Sequence, residues 1–292
     1  MAIVDTGDVR LHVQRLAAAR LSASDQRLVR PTASIFGAAA VPDTTVVLLH
    51  GLLTDSLASY YFTVAPAFAA AGLDVIMYDH RGHGRSGRPE RGYTLGAFVD
   101  DLDALLDRLH VRTPVHLVGN SYGGTVAFGY ALRRPERVAG MVVIESEPAT
   151  PSWAAKLAGL LERVRHEMSV NESAALDWIA THHGGHTARL AKSAGRLVRD
   201  TTLAQDIPAS AVLDDDDLRA IRCPVLALYG ADSDLAAQAP RMRSLLPHCE
   251  TESLPGHQHS VLVEAPGRVR DLVLDWVGRH SRPVAARTVR AR

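Results

Sequence analysis

The sequence predicts an α/β fold: a parallel sheet covered by helices and interrupted by a helical insertion. Short apolar runs alternate with helical stretches towards both ends of the chain, the pattern of strand–helix–strand units. From Pro148 to about Ile221 that rhythm stops, and amphipathic helical periodicity takes over. At 47% hydrophobic and 22% charged residues, the 292-residue chain has ample apolar surface for a large core, which excludes a disordered class.

The elements follow in order. Val9 to Leu16 alternates apolar and polar with period two, as an outer strand does. A loop rich in Ser, Pro and Ala runs from Ser22 to Asp43. Val46 to Leu49 is a short, wholly apolar strand ending at His50-Gly51, and a helix is expected from Ser56 to Ala71. A second apolar strand, Val75 to Tyr78, opens into the glycine-rich polar segment Asp79-His80-Arg81-Gly82-His83-Gly84-Arg85-Ser86. The helix Leu95 to His110 carries an apolar stripe at Phe98, Leu102, Leu105, Leu106 and Leu109. Val115 to Val118 and Val138 to Ile144 are strands, with a helix from Thr125 to Leu132 between them. The insertion contains helical stretches Trp153 to Met168, Asn171 to His183 and Thr187 to Thr202. The strand–helix rhythm resumes at Pro224 to Gly230, followed by a helix Leu235 to Leu246, a strand Glu250 to Leu254 and a helix Pro266 to Gly278. The division expected is a core of residues 1–147 and 221–280, a helical cap of 148–220, and a disordered tail of 281–292, rich in Arg and Ala.

Formal net charge is zero, which gives no global electrostatic argument for nucleic acid or another polyanion. No apolar run approaches the ~20 residues of a membrane span, and Met1 to Asp8 lacks the basic and apolar regions of a signal peptide. A cytoplasmic protein with no membrane partner is therefore expected. Two cysteines, Cys223 and Cys249, are read as free thiols at strand edges rather than a disulfide or metal pair.

The segment with most chemical content is Gly119-Asn120-Ser121-Tyr122-Gly123-Gly124, between a strand and a helix. A serine flanked two residues away on each side by glycine is the pattern of a nucleophile elbow. The serine sits on a sharp turn with its hydroxyl exposed, and the glycines let strand and helix approach closely. A serine hydroxyl is a poor nucleophile at neutral pH unless a base lies within hydrogen-bond reach and a carboxylate orients that base.

Together, His50-Gly51 after a buried strand, Asp79 to Ser86 after the next, the Ser121 elbow, the acidic loop Gly230-Ala231-Asp232-Ser233-Asp234 and a late histidine before Glu264-Ala265-Pro266 resemble the α/β-hydrolase superfamily. The resemblance covers nearly the whole chain outside the insertion, and its motifs occur in that family's order of serine, acid, histidine. It implies a doubly wound, mostly parallel sheet with active-site groups at the carboxyl ends of the strands. It implies His259 as the base, since Glu264 follows at the family's spacing, with His257 as the rival. For the acid it favours Asp234, because Ser-Asp precedes an apolar residue in many relatives. Asp232 and Glu145, at the end of the strand Val138 to Ile144, are the alternatives. The family's commonest spacing would put the acid at 233, where this chain has Ser233. The expected oxyanion donors are the backbone N–H groups of Leu52 and Tyr122.

The resemblance thus implies a serine hydrolase acting on a small-molecule ester or thioester, carrier- or CoA-linked acyl groups included, with no cofactor. Its alternatives are carbon–carbon bond hydrolysis of a vinylogous diketone, which Ser260 after the histidine disfavours, a cofactor-free haloperoxidase-like activity that uses the same triad, and a non-catalytic small-molecule receptor. The serine at the elbow argues against relatives that use aspartate there. His182-His183-Gly184-Gly185-His186 lacks the ligand set of a metal site and reads as an inter-helix turn. Asp214 to Asp217 lacks the alternation of a calcium loop and reads as a helix start. Oligomeric state has no signature in the sequence.

Overall fold

The structure is a computed structural model that describes residues 1–19 and 44–281. The loop expected from Ser22 to Asp43 and residues 282–292 of the tail lie outside the described residues. Eight strands form one sheet: β1 (Ala2–Asp5), β2 (Arg10–Leu16), β3 (Thr45–Leu49), β4 (Asp74–Tyr78), β5 (Val115–Asn120), β6 (Val138–Ile144), β7 (Val225–Gly230) and β8 (Cys249–Leu254). Their order is β1-β2-β4-β3-β5-β6-β7-β8. The pairs β1/β2 and β2/β4 are antiparallel, and every other pair is parallel. The chain moves outward from β3 to β4 on one side and to β5 on the other, so the strand order reverses beside β5. Such a switch point is where open α/β sheets bind ligands.

The central strands are continuous apolar runs because both faces of the sheet are covered. Successive side chains point to opposite faces. Val47, Leu49 and Leu117 join one core with Phe98 of α3 (Leu95–Arg108) and Phe128 of α4 (Tyr122–Arg133). Val46, Leu48 and Val118 join the other with Phe68 of α2 (Ala65–Ala70) and Trp276 of the C-terminal helix (Pro266–His280). Helix α3 starts where Thr94 accepts a hydrogen bond from the Ala97 amide, a side-chain N-cap.

Several boundaries depart from expectation, each for a local reason. The helix expected from Ser56 to Ala71 is two, α1 (Ala58–Tyr61) and α2. Within a continuous helix Pro66 would clash with the carbonyl four residues earlier, whereas in the first turn of α2 it is tolerated. Pro240 does the same downstream. The helix expected from Leu235 to Leu246 is a 3₁₀ turn, Asp234–Gln238, followed by α9 (Ala239–Leu245). The N-terminal strand β1 has no apolar pattern to reveal it, being an exposed edge that pairs only with β2.

Between β6 and β7 the chain runs through α5 (Pro151–Val170), α6 (Glu172–Asp200), α7 (Leu203–Asp206) and α8 (Asp215–Ala220). The turn expected around residues 182–186 is a kink inside α6, where Gly184 has φ 84° and ψ 157°. His182 there stacks on exposed Trp178, with ring centroids 4.6 Å apart. Asp214 starts α8 through a capping box: its carboxylate accepts from the Asp216 and Asp217 amides, and Asp217 accepts from the Asp214 amide. The inserted helices bind the core by packing Trp153, Leu161, Leu197 and Leu218 against the α4 side of the sheet. Asp206 adds hydrogen bonds from the Gly92 and Tyr93 amides at 3.1 and 2.9 Å. Cys223 and Cys249 are free, and burial pushes their thiols up to about 12 and about 11. No helix among the described residues is long and apolar enough to cross a membrane.

Candidate active site

The carboxyl ends of five adjacent strands, β3 and β5 to β8, supply the site. Ser121 follows β5 and is the N-cap of α4, with φ 50° and ψ −120°, a backbone conformation in which a non-glycine residue is strained. The two glycines make that turn sterically possible. A Cβ on Gly123 would lie 2.0 Å from the Leu49 carbonyl oxygen, and one on Gly119 would lie 2.4 Å from the Gly124 nitrogen. The Ser121 amide donates to the Ile144 carbonyl at 2.8 Å, so the elbow is tied to β6.

His259, after β8, lies with Nε2 3.3 Å from Ser121 Oγ. Its Nδ1 lies 3.1 Å from Glu145 Oε2. Since an ionised carboxylate can only accept, Nδ1 carries the proton and Nε2 is free to accept from the serine hydroxyl. Glu145 follows β6 directly and has φ 48°, a second strained residue at the same end of the sheet. Its side chain is fully buried. The Gly230 amide donates to its Oε1, and Ser233 Oγ donates to Oε2 at 2.5 Å. Burial of a carboxylate is costly unless donors surround it, and here three donors do.

The expected acid, Asp234, is not the residue that meets the imidazole. Asp234 begins the 3₁₀ turn after β7 and is exposed, as is Asp232. Both line the rim of the cleft, and among the described residues neither side chain bonds His259. The reason is reach. The β7 loop brings Ser233 inward and turns its two acidic neighbours out, while Glu145 emerges from a buried strand already aimed at the centre. The sequence carried a trace of this, because a carboxylate closing a wholly apolar strand is buried and needs partners. The rival His257 is half-buried and pairs instead with Glu264, Nδ1 to Oε2 3.3 Å.

The amides of Leu52 and Tyr122 have no hydrogen-bond acceptor among the described residues, and both residues line the cleft beside Ser121. Three buried imidazoles hold the Leu52 loop in place. His80 N–H donates to His50 Nε2 at 2.9 Å, so His50 Nδ1 carries its proton and donates to the Gly51 carbonyl at 2.6 Å. His80 Nε2 donates to the His50 carbonyl, 3.1 Å. His83 Nε2 accepts from the Leu53 amide at 2.9 Å, and its Nδ1 donates to the Arg81 carbonyl. Asp55 adds an acceptor for the Gly51 amide at 2.6 Å. The network needs neutral rings. Burial, reinforced by neighbouring His50, lowers His83 to about 3 and His80 well below the ordinary 6.5.

That requirement has a pH consequence. Below about 6.5 the unfolded chain binds protons at His80 and His83 that the native state refuses, so stability rises with pH across this range. His116, lowered by burial to about 4, acts in the same direction. Stability in urea should therefore fall steadily as pH is lowered from 7.5 to 5, above the range where carboxylates titrate. A flat profile would show that the rings take up protons without cost.

The cleft has a volume of about 630 Å³. Leu52, Leu53 and Leu235 line it from the sheet side, and Trp153, Leu157 and Leu160 of α5 line it from the insertion. Trp153 stacks on Tyr122, ring planes 15° apart. Lys156 of α5 pairs with the buried carboxylate of Glu147, four residues before the start of α5.

A serine elbow at the switch point of a mostly parallel sheet defines the chain as an α/β-hydrolase. The family model for the alpha/beta hydrolase fold matches residues 44–266, and the chain belongs to that family, an enzyme family. It is similar to a monoacylglycerol lipase of Mycolicibacterium smegmatis, 30% identical over 273 residues, covering 82% of this chain and 91% of that protein. It is also similar to a non-heme chloroperoxidase of Streptomyces lividans, 27% identical, covering 68% of this chain and 79% of that protein. Among solved structures, a carboxylesterase of Nitrososphaera gargenis superposes with a TM-score of 0.72 at 20% identity, covering 96% of this chain and 98% of that one, a likeness of fold.

Proposed function

We propose that the protein is a serine hydrolase that cleaves carboxylic esters or thioesters through an acyl-enzyme on Ser121. The observation that carries this reading is the continuous chain Ser121 Oγ, His259 and Glu145, with separations of 3.3 and 3.1 Å, opening on a cleft with leucine and Trp153 walls. Such contacts are commonly longer in the free enzyme and tighten when substrate is bound.

In the first half-reaction Ser121 Oγ attacks the carbonyl carbon as its proton passes to His259 Nε2. The carbonyl oxygen takes the negative charge and is received by the Leu52 and Tyr122 amides. Preformed backbone donors stabilise it without reorganisation at the moment of reaction. Glu145 holds the ring in the Nδ1–H tautomer and stabilises the imidazolium without taking its proton. The imidazolium then protonates the departing alcohol or thiol. Water repeats the sequence on the acyl-enzyme, with His259 as base, and releases the acid. Leucines and Trp153 supply the surface for an apolar acyl group, and the helices between β6 and β7 act as a cap over it. The similarity to a monoacylglycerol lipase and the membership of the alpha/beta hydrolase family support hydrolysis as the class of reaction.

A fluorophosphonate probe tests the nucleophile. The wild-type protein should be labelled on Ser121 and should hydrolyse a panel of p-nitrophenyl and thioester acyl substrates, while Ser121→Ala should do neither. Absence of both labelling and turnover in the wild type would instead favour a receptor that retains the fold.

A further inference from the structure

We propose that Ser233 is a positioning residue for this triad: its hydroxyl holds the Glu145 carboxylate against His259. The inference rests on the acyl-transfer reading above.

The hydrogen-bond inventory of Ser233 leaves its hydroxyl one orientation. Ser233 Oγ accepts from the Leu235 amide at 3.2 Å, as N-cap of the 3₁₀ turn. Its single proton is therefore available to the carboxylate, and Glu145 Oε2 lies 2.5 Å away. The same Oε2 accepts from His259 Nδ1 at 3.1 Å. Ser233 and His259 thus meet on one oxygen atom, and the Gly230 amide takes the other. A buried glutamate has three side-chain torsions to fix. Without the hydroxyl, only Gly230 and the exposed, movable imidazole would fix them.

A plain capping role would affect stability alone, so the test reads kinetics. Ser233→Ala should lower kcat for an ester by about tenfold, the worth of a hydrogen bond to a charged group, with KM changed less than about twofold. The acidic limb of its pH profile should move to lower pH, because a loosened carboxylate stabilises the imidazolium less. Ser233→Thr, which keeps the hydroxyl, should restore both. Wild-type kcat and pH profile in Ser233→Ala would overturn the proposal while the triad stands. Wild-type kcat in Glu145→Ala would overturn the triad reading and this proposal with it. Urea unfolding of each variant separates loss of fold from loss of positioning.

Discussion

Removing the base or the nucleophile should stop turnover almost completely. Ser121→Ala and His259→Ala are each expected to lower kcat on a p-nitrophenyl ester by about 10⁴- to 10⁶-fold, the range of other triads. The two side chains act through one shared proton, on the line from Ser121 Oγ to His259 Nε2. Without the imidazole, the hydroxyl has no acceptor for its proton. Without the hydroxyl, the imidazole has no nucleophile to activate. The double variant should therefore be no slower than either single one, since the second loss removes nothing that still functions. KM should change little, because the leucine and Trp153 surfaces of the cleft are untouched. Residual turnover above that of free solution is expected from the Leu52 and Tyr122 donors, which neither substitution disturbs. Steady-state kinetics on the three variants, with folding checked by urea unfolding, decides the matter. Additive losses, each multiplying the other, would mean that serine and histidine work on separate steps.

Most of the scaffold was legible because its strands obey one rule. A parallel strand buried on both faces is a short apolar run, and β3, β4, β5 and β6 read that way directly. The elbow was legible because steric crowding leaves glycine no substitute at 119 and 123. What failed to show was of two kinds. Helix interruptions at Pro66 and Pro240 were smoothed over by apolar periodicity that continues through them. The partner of His259 was harder, because it depends on which of three carboxylates points inward. Loop residues 230–234 hold two carboxylates beside a serine, and nothing in their order says that the serine turns in and the acids turn out. Glu145 lies more than a hundred residues from His259 in sequence, and only the pairing of β6 with β7 and of β7 with β8 brings them together.

That assignment gives the second large effect. Glu145→Gln should lower kcat by roughly 10⁴, as loss of the orienting acid does in other triads. The argument lies in counting acceptors. Oε2 of Glu145 accepts from Ser233 and His259, and Oε1 accepts from the Gly230 amide. Glutamine offers one oxygen where two are needed. If that oxygen faces Gly230, the amide NH₂ faces His259 and turns Nδ1 into an acceptor. The ring proton then moves to Nε2, the tautomer that cannot take a proton from Ser121. If the oxygen faces His259, the NH₂ opposes the Gly230 N–H in a buried site, at the cost of an unpaired donor. Either way the negative charge that steadies the imidazolium is gone. By contrast, Asp234→Asn and Asp232→Asn alter exposed carboxylates that do not touch the ring, and kcat should stay within about twofold of wild type, the ordinary range for surface changes. Kinetics of the three variants on one ester separates the positions. A large loss in Asp234→Asn with Glu145→Gln near wild type would assign the acid to the β7 loop and require that loop to turn inward when substrate binds.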